Sequence, residues 1–210
     1  MTAILERIEA VQSLATAQLP TRYGHFTAIA FSDGGEEHLA LVHGEPGKSD
    51  VLLRLHSECM TGDLIGSLKC DCGEQLETAL RAIVANGSGI VVYLRGHEGR
   101  GIGIAAKLRA YALQERGLDT IQANVALGLP VDARDYGAPV AFLAQFGITS
   151  VRLLSNNPEK VNALEGGGIT CTELVAMPST VNAQNHKYLV TKAEQMGHRG
   201  LGVTECGATE

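Results

Sequence analysis

Long apolar runs are missing from this chain of 210 residues. The longest uninterrupted one, residues 90–94, is far shorter than the roughly 20 residues that a membrane-spanning helix needs. Positive charge is also scarce. Lys and Arg total 17 against 23 Asp and Glu, for a net charge of −6. That balance excludes a general nucleic-acid binder, whose basic surface must displace counterions from phosphate. It leaves room for a small anionic ligand, because a few cations converging on one pocket do not change the sign of the total. The N-terminal segment MTAILERIEAVQSLATAQLP carries Glu6, Arg7 and Glu9 and has no long apolar stretch. No signal peptide is therefore expected, and a cytoplasmic location is. No linker or internal repeat interrupts residues 20–196. Cysteine is sparse, and its count of 5 is odd, so the thiols cannot all pair within one chain. In a reducing compartment thiols stay free, and clustered ones read as metal ligands or catalytic groups.

What is present points to one mixed α/β domain, a sheet flanked by helices. At 45% hydrophobic and 19% charged residues, a disordered or fibrous chain is excluded. The 25 glycines imply tight turns and close backbone approaches. Ile4, Ile8, Val11 and Leu14 recur at helical spacing, which predicts an amphipathic helix over 3–17 within an N-terminal extension, 1–20. Alternation predicts strands over 24–31, 38–43 and 51–56. A helix is expected over 74–86, a buried strand over 89–94 and a helix over 104–115. Further on, helices are expected over 140–146, 158–164 and 187–196, with strands over 151–154 and 171–176. The catalytic domain is placed at 21–198 and a frayed tail at 199–210.

Three cysteines stand close together. HSECMTGDLIGSLKCDCGEQ places Cys59, Cys70 and Cys72 in one short segment. Zinc favours soft thiolates in a tetrahedron, and a structural site fills all four corners from protein. Two readings stay open. His56 could close a structural site, or the fourth corner could hold water, as in nucleobase deaminases that attack an aromatic ring carbon. Glu58 would then be a proton shuttle. RGHEGRGIG follows a strand and opens a helix, where backbone N–H groups favour phosphate, although the spacings of a Walker A loop or a dinucleotide fingerprint are missing. PVDARDYG gathers Asp132, Arg134 and Asp135, and LLSNNPEK offers Ser155, Asn156, Asn157 and Lys160. Each of these could equally be a solvated turn or a helix cap. Together they suggest a purine nucleotide as the simplest substrate that has both an aromatic ring to attack and phosphates to hold.

These residues resemble a known family, GTP cyclohydrolase II. The likeness is carried by RLHSECMTGD, LKCDCGEQL, YLRGHEGRGIG, KLRAYALQ, LDTIQAN, LGLPVDARDYG, LLSNNPEK and YLVTKAEQMGH. It implies hydrolysis of GTP to 2,5-diamino-6-(5-phospho-D-ribosylamino)pyrimidin-4(3H)-one, releasing formate and diphosphate, as the first committed step of riboflavin biosynthesis. It implies a homodimer with one zinc per subunit, held by Cys59, Cys70 and Cys72, and Mg2+ with the GTP phosphates. Arg54, Leu55, His56, Ser57, Glu58, Gln75, Glu98, Gly99, Arg100, Thr120, Ser155 and Lys160 would contact GTP. Arg134 would be the nucleophile that takes the guanylyl group, with Asp132 as its proton acceptor. A guanidinium pKa above about 12 leaves almost none neutral, so a charge-stabilising role for Arg134 is the alternative. Tyr111 would be needed for the release of formate. Two other readings are a paralogue that stops at the ring-opened formamidopyrimidine and a zinc-stabilised nucleotide-binding module without turnover.

Overall fold

The computed structural model describes residues 11–33, 35–197, 200, 202 and 203. Its strands are β1 (Gln12–Pro20), β2 (His25–Ser32), β3 (Glu37–His43), β4 (Val51–Ser57), β5 (Gly89–Leu94), β6 (Ser150–Leu154) and β7 (Thr170–Val175). They form one seven-stranded mixed sheet in the order β1-β2-β3-β5-β4-β6-β7. The β1-β2, β2-β3 and β3-β5 pairs are antiparallel, whereas β5-β4, β4-β6 and β6-β7 are parallel. The helices are α1 (Met60–Asp63), α2 (Cys72–Ala85), α3 (Glu98–Gly101), α4 (Gly103–Gln114), α5 (Thr120–Ala126), α6 (Gly137–Gln145), α7 (Pro158–Gly166) and α8 (His186–Met196). No helix among the described residues is long and apolar enough to cross a membrane.

The sequence elements from residue 24 onward match this sheet and these helices closely. The N-terminal expectation does not. Within the predicted helix over 3–17, residues 12–17 belong to β1, which pairs with β2 from Gln12↔Ser32 to Pro20↔His25. The Thr21–Gly24 turn, with Thr21 N–H donating to Gly24 O at 2.8 Å, closes the hairpin. Pairing along the whole strand outweighs a weak helical periodicity. Residues 1–10 and nearly all of the expected tail at 199–210 lie outside the described residues. The short helices α1, α3 and α5 are too brief to show a period. A capping box between Asp119 and Gln122 starts α5, and Asn157 caps α7, with Pro158 in its first turn.

Two apolar cores sandwich the sheet. One joins Leu53, Leu55 and Val92 to α6 through Phe142 and Leu143. The other joins Leu52 and Val91 to α2 through Ala79, Leu80 and Ile83. The chain leaves β4 for β5 on one side and returns to β6 on the other, so β4 is the point where the strand order reverses. In open sheets a crevice forms beyond the C-terminal ends of the strands at such a point. The tips of β4, β5 and β6 here carry Ser57, the 95–103 loop and Ser155.

Candidate active site

Cys59 follows β4, Cys72 opens α2 and Cys70 lies between them. Their sulfur atoms all lie within 4.8 Å of one another, with Cys59 and Cys70 Sγ 3.7 Å apart. The backbone is shaped around this cluster. A Cβ on Gly62 would sit 2.8 Å from Cys70 Sγ and 3.2 Å from Cys59 Sγ, and a Cβ on Gly73 would sit 2.4 Å from Gly62 O. Only glycine fits either place. Hydrogen bonds from the Cys70 and Cys72 thiols, with Lys107 nearby, hold the Cys59 thiol far below its usual range despite burial. Sharing with Cys59 pushes Cys70 up to about 11, and Cys72 is raised too. Three soft donors converging around a glycine cradle suit zinc.

His56 does not join this group. Its Nε2 lies 3.1 Å from Asp63 Oδ1 and its ring stacks on Tyr93. Asp63 Oδ2 also accepts from Cys59 N at 3.0 Å and from Tyr93 OH at 2.8 Å. The closed four-ligand site with His56 is thus not formed.

The trio opens into a chamber of about 640 Å³ lined by Glu58, Gly99, Lys107, Tyr111, Thr120 and Asn124, among others. Glu58 accepts from Gly96 N at 2.9 Å. The Tyr111 hydroxyl is pushed up to about 12 by burial and by the nearby Cys70 and Cys59. Burial works against the Lys107 charge, but Cys59 and Glu98 outweigh it and raise its pKa.

A second chamber of about 560 Å³ adjoins the first, and Ser57, Cys72, Arg100, Arg134 and Tyr188 line both. Arg54, Lys160 and Lys192 also line it, and no carboxylate does among the described residues. Arg54 donates to Leu154 O at 2.9 Å and to Gln75 Oε1 at 2.7 Å. Gln75 in turn donates to Asp71 Oδ2 at 2.6 Å, and Asp71 pairs with Lys192 at 2.9 Å. Lys160 donates to Leu55 O at 2.6 Å. Its pKa is depressed by burial and then by Arg54, Arg134 and Lys192. Arg100 has a left-handed backbone, φ 67, between Gly99 at φ 62 and Gly101 at φ 87. Both of its terminal guanidinium nitrogens are buried without a hydrogen-bond partner. Buried donors of this kind call for an acceptor, and a chamber lined by Arg54, Arg134 and Lys160 favours an anionic one. The 95–103 loop is fastened to its neighbour by Ala133 N donating to Arg100 O at 3.0 Å. That bond sets Arg134 beside Arg100. Asp132 grips Arg134, with Nε donating to Oδ1 at 2.9 Å, and this outweighs burial to hold the guanidinium firmly charged.

Most of the site residues named from sequence therefore converge on one cleft. Leu55 presents only its backbone carbonyl, because period 2 along β4 turns its side chain into the core with α6. Glu98 is taken up by Lys107, at 2.6 Å, and by Met60 N, at 2.6 Å. Asn156 is tied to Met177 through both backbone groups. His97, Lys107, Asn124, Tyr188 and Lys192 line the cleft but were not singled out from sequence. A lone polar residue on a helix reads as solvated unless the fold is known. The family segment KLRAYALQ begins at Lys107 but gives that lysine no role of its own.

Comparison with known proteins agrees with this geometry. A family model described as GTP cyclohydrolase II matches residues 12–176. The GTP cyclohydrolase-2 of Streptomyces coelicolor is 56% identical over 190 residues, covering 90% of this chain and 86% of that protein. The riboflavin biosynthesis protein RibBA of Rhodococcus jostii (strain RHA1) is 52% identical over 207 residues, 95% of this chain and 50% of its own length. The RibBA of Salinispora tropica is 53% identical over 191 residues, 90% of this chain and 48% of its own length. The chain thus spans about half the length of these RibBA proteins and most of the streptomycete one. With a family match across most of its sheet and relatives of this identity, the chain belongs to the GTP cyclohydrolase II family.

Proposed function

We propose that the protein hydrolyses GTP to 2,5-diamino-6-(5-phospho-D-ribosylamino)pyrimidin-4(3H)-one, releasing formate and diphosphate in the first committed step of riboflavin biosynthesis. The observation that carries this reading is the junction of a three-thiolate chamber with a cation-lined chamber in one cleft. That junction fits a ligand with an aromatic ring at one end and phosphates at the other. When bound by Cys59, Cys70 and Cys72, zinc supplies a Lewis acid that activates water toward the imidazole carbon of guanine. Arg54, Arg100, Lys160 and Lys192 hold the triphosphate, and Mg2+ bound with the nucleotide would offset part of its charge. Arg134 acts at the α-phosphate by charge, because Asp132 keeps it protonated, and Asp132 serves to aim it. Glu58, next to Cys59, receives and returns a proton at its carboxylate. Tyr111 positions the opened ring so that formate leaves. A homodimer in the cytoplasm belongs to the same reading.

The test is incubation of the zinc-loaded protein with GTP while formate, diphosphate and the pyrimidine are followed. All three are expected to accumulate together. Diphosphate and ring-opened product without formate would mean a paralogue that stops early. No consumption of GTP would mean a binding module.

A further inference from the structure

The Cys59 sulfur has a partner that the proposed chemistry leaves unused. Lys107 places Nζ 3.1 Å from Cys59 Sγ, 2.8 Å from Thr61 Oγ1 and 2.6 Å from Glu98 Oε1. An ammonium has three N–H donors, so this one is saturated and its direction is fixed. A lysine on a helix normally keeps its head in water, yet Lys107 is only 8% exposed. The fold makes room for it. Gly99 is left-handed, and a Cβ there would stand 3.1 Å from Lys107 Cβ. Glu98 is itself pinned, its second oxygen accepting from Met60 N at 2.6 Å. Every donor of Lys107 is committed to a fixed acceptor. What it can do is hold a charge against one sulfur.

We propose that Lys107 is a positioning residue for the metal centre: its N–H···S bond orients the Cys59 sulfur and withdraws electron density from it. Cys59 becomes the weakest donor of the trio, and the bound metal becomes more electrophilic. Glu98 sets the strength of this effect by sharing the lysine charge. The inference rests on the reading that the trio binds a metal.

Cobalt(II) in place of zinc in the full chain gives a direct readout, because thiolate-to-metal charge-transfer bands report the electron density on sulfur. Lys107→Met is expected to move these bands to lower energy, because the Cys59 sulfur regains the electron density that the ammonium withdraws. Lys107→Arg, which keeps the cation, should leave the bands near their original position. Glu98→Gln frees the lysine charge for sulfur and should move them the opposite way, to higher energy. A purely structural lysine would loosen the metal without these opposed shifts. Unchanged bands in a folded Lys107→Met protein overturn the inference alone. If that variant does not fold, unmoved bands in Glu98→Gln do the same. Absence of thiolate bands in the unsubstituted protein overturns the metal reading, and this inference with it.

Discussion

The two chambers of the cleft are built in opposite ways. The thiolate chamber draws its ligands from a single short segment, Cys59 to Cys72, folded over Gly62. The cationic chamber draws Arg54, Arg100, Arg134, Lys160 and Lys192 from strand ends, loops and helices spread along the chain. Charge is also handled differently. Around the sulfur cluster it is compensated, through Lys107 and Glu98. In the other chamber Lys160 is pressed by neighbouring cations and Arg100 ends without a partner. In the first chamber the charges are matched by partners within the fold, whereas in the second the cations face one another. Buried unpaired charge costs stability, so the ligand-free cationic chamber is held in place by the rest of the fold.

If the chambers are as separable as this contrast implies, each should fail in its own way. The largest effect is expected from Cys59→Ser. Turnover should fall about 10³-fold, the several kcal/mol that a Lewis acid supplies, while GTP binding in equilibrium dialysis stays within about twofold of the unsubstituted protein. Loss of GTP binding in that variant would show the two chambers to be one unit. Next comes Lys160→Met. It should weaken GTP binding by about 10²-fold, in the range for removing a buried charged contact. It should also raise the melting temperature of the ligand-free protein, since a cation with a depressed pKa is destabilising below its unfolded value. A lower melting temperature would mean that the bond from Lys160 to Leu55 O matters more than the repulsion.

The smallest effect concerns His97, which lines the thiolate chamber. Burial, then Arg134 and Lys160, push its pKa down to about 4. Unfolded, it titrates near 6.5. The unfolded chain therefore takes up a proton first as the pH falls. The contribution of the neutral ring is full above about pH 6.5 and is lost by about pH 4, about 3 kcal/mol in all. Denaturant melts across that window should lose their slope in His97→Asn relative to the unsubstituted protein. An unchanged slope would remove His97 as its source.

The same contrast explains what could be read from the sequence. The sulfur cluster is legible because its ligands are sequence neighbours, and Cys59, Cys70 and Cys72 meet in space as their spacing suggests. The strands from 24 onward are legible because alternation marks β2 and β3 while a short continuous apolar run marks β5, buried on both faces. Lys107, Tyr188 and Lys192 fall inside the family segments KLRAYALQ and YLVTKAEQMGH, but their place in the cleft depends on how α4 and α8 pack over the sheet tips, which no local pattern encodes. His56 shows the limit from the other side. Proximity in sequence made it a candidate ligand, but Asp63, brought round by α1, claims its ring. The β1 strand was missed because helical spacing in a short segment cannot compete with a hairpin partner that lies further along the chain.

One strand carries a consequence for how such a site can change over time. Along β4, Leu53 and Leu55 turn to the core with α6, while Arg54 and His56 between them turn to the cleft. Leu53 and Leu55 hold the core on one side, while Arg54 and His56 reach the cleft from the other, beyond Leu52, which packs with α2. A lineage could therefore retune what the cleft accepts through positions 54 and 56 while leaving Leu53 and Leu55, and the foldedness they secure, untouched.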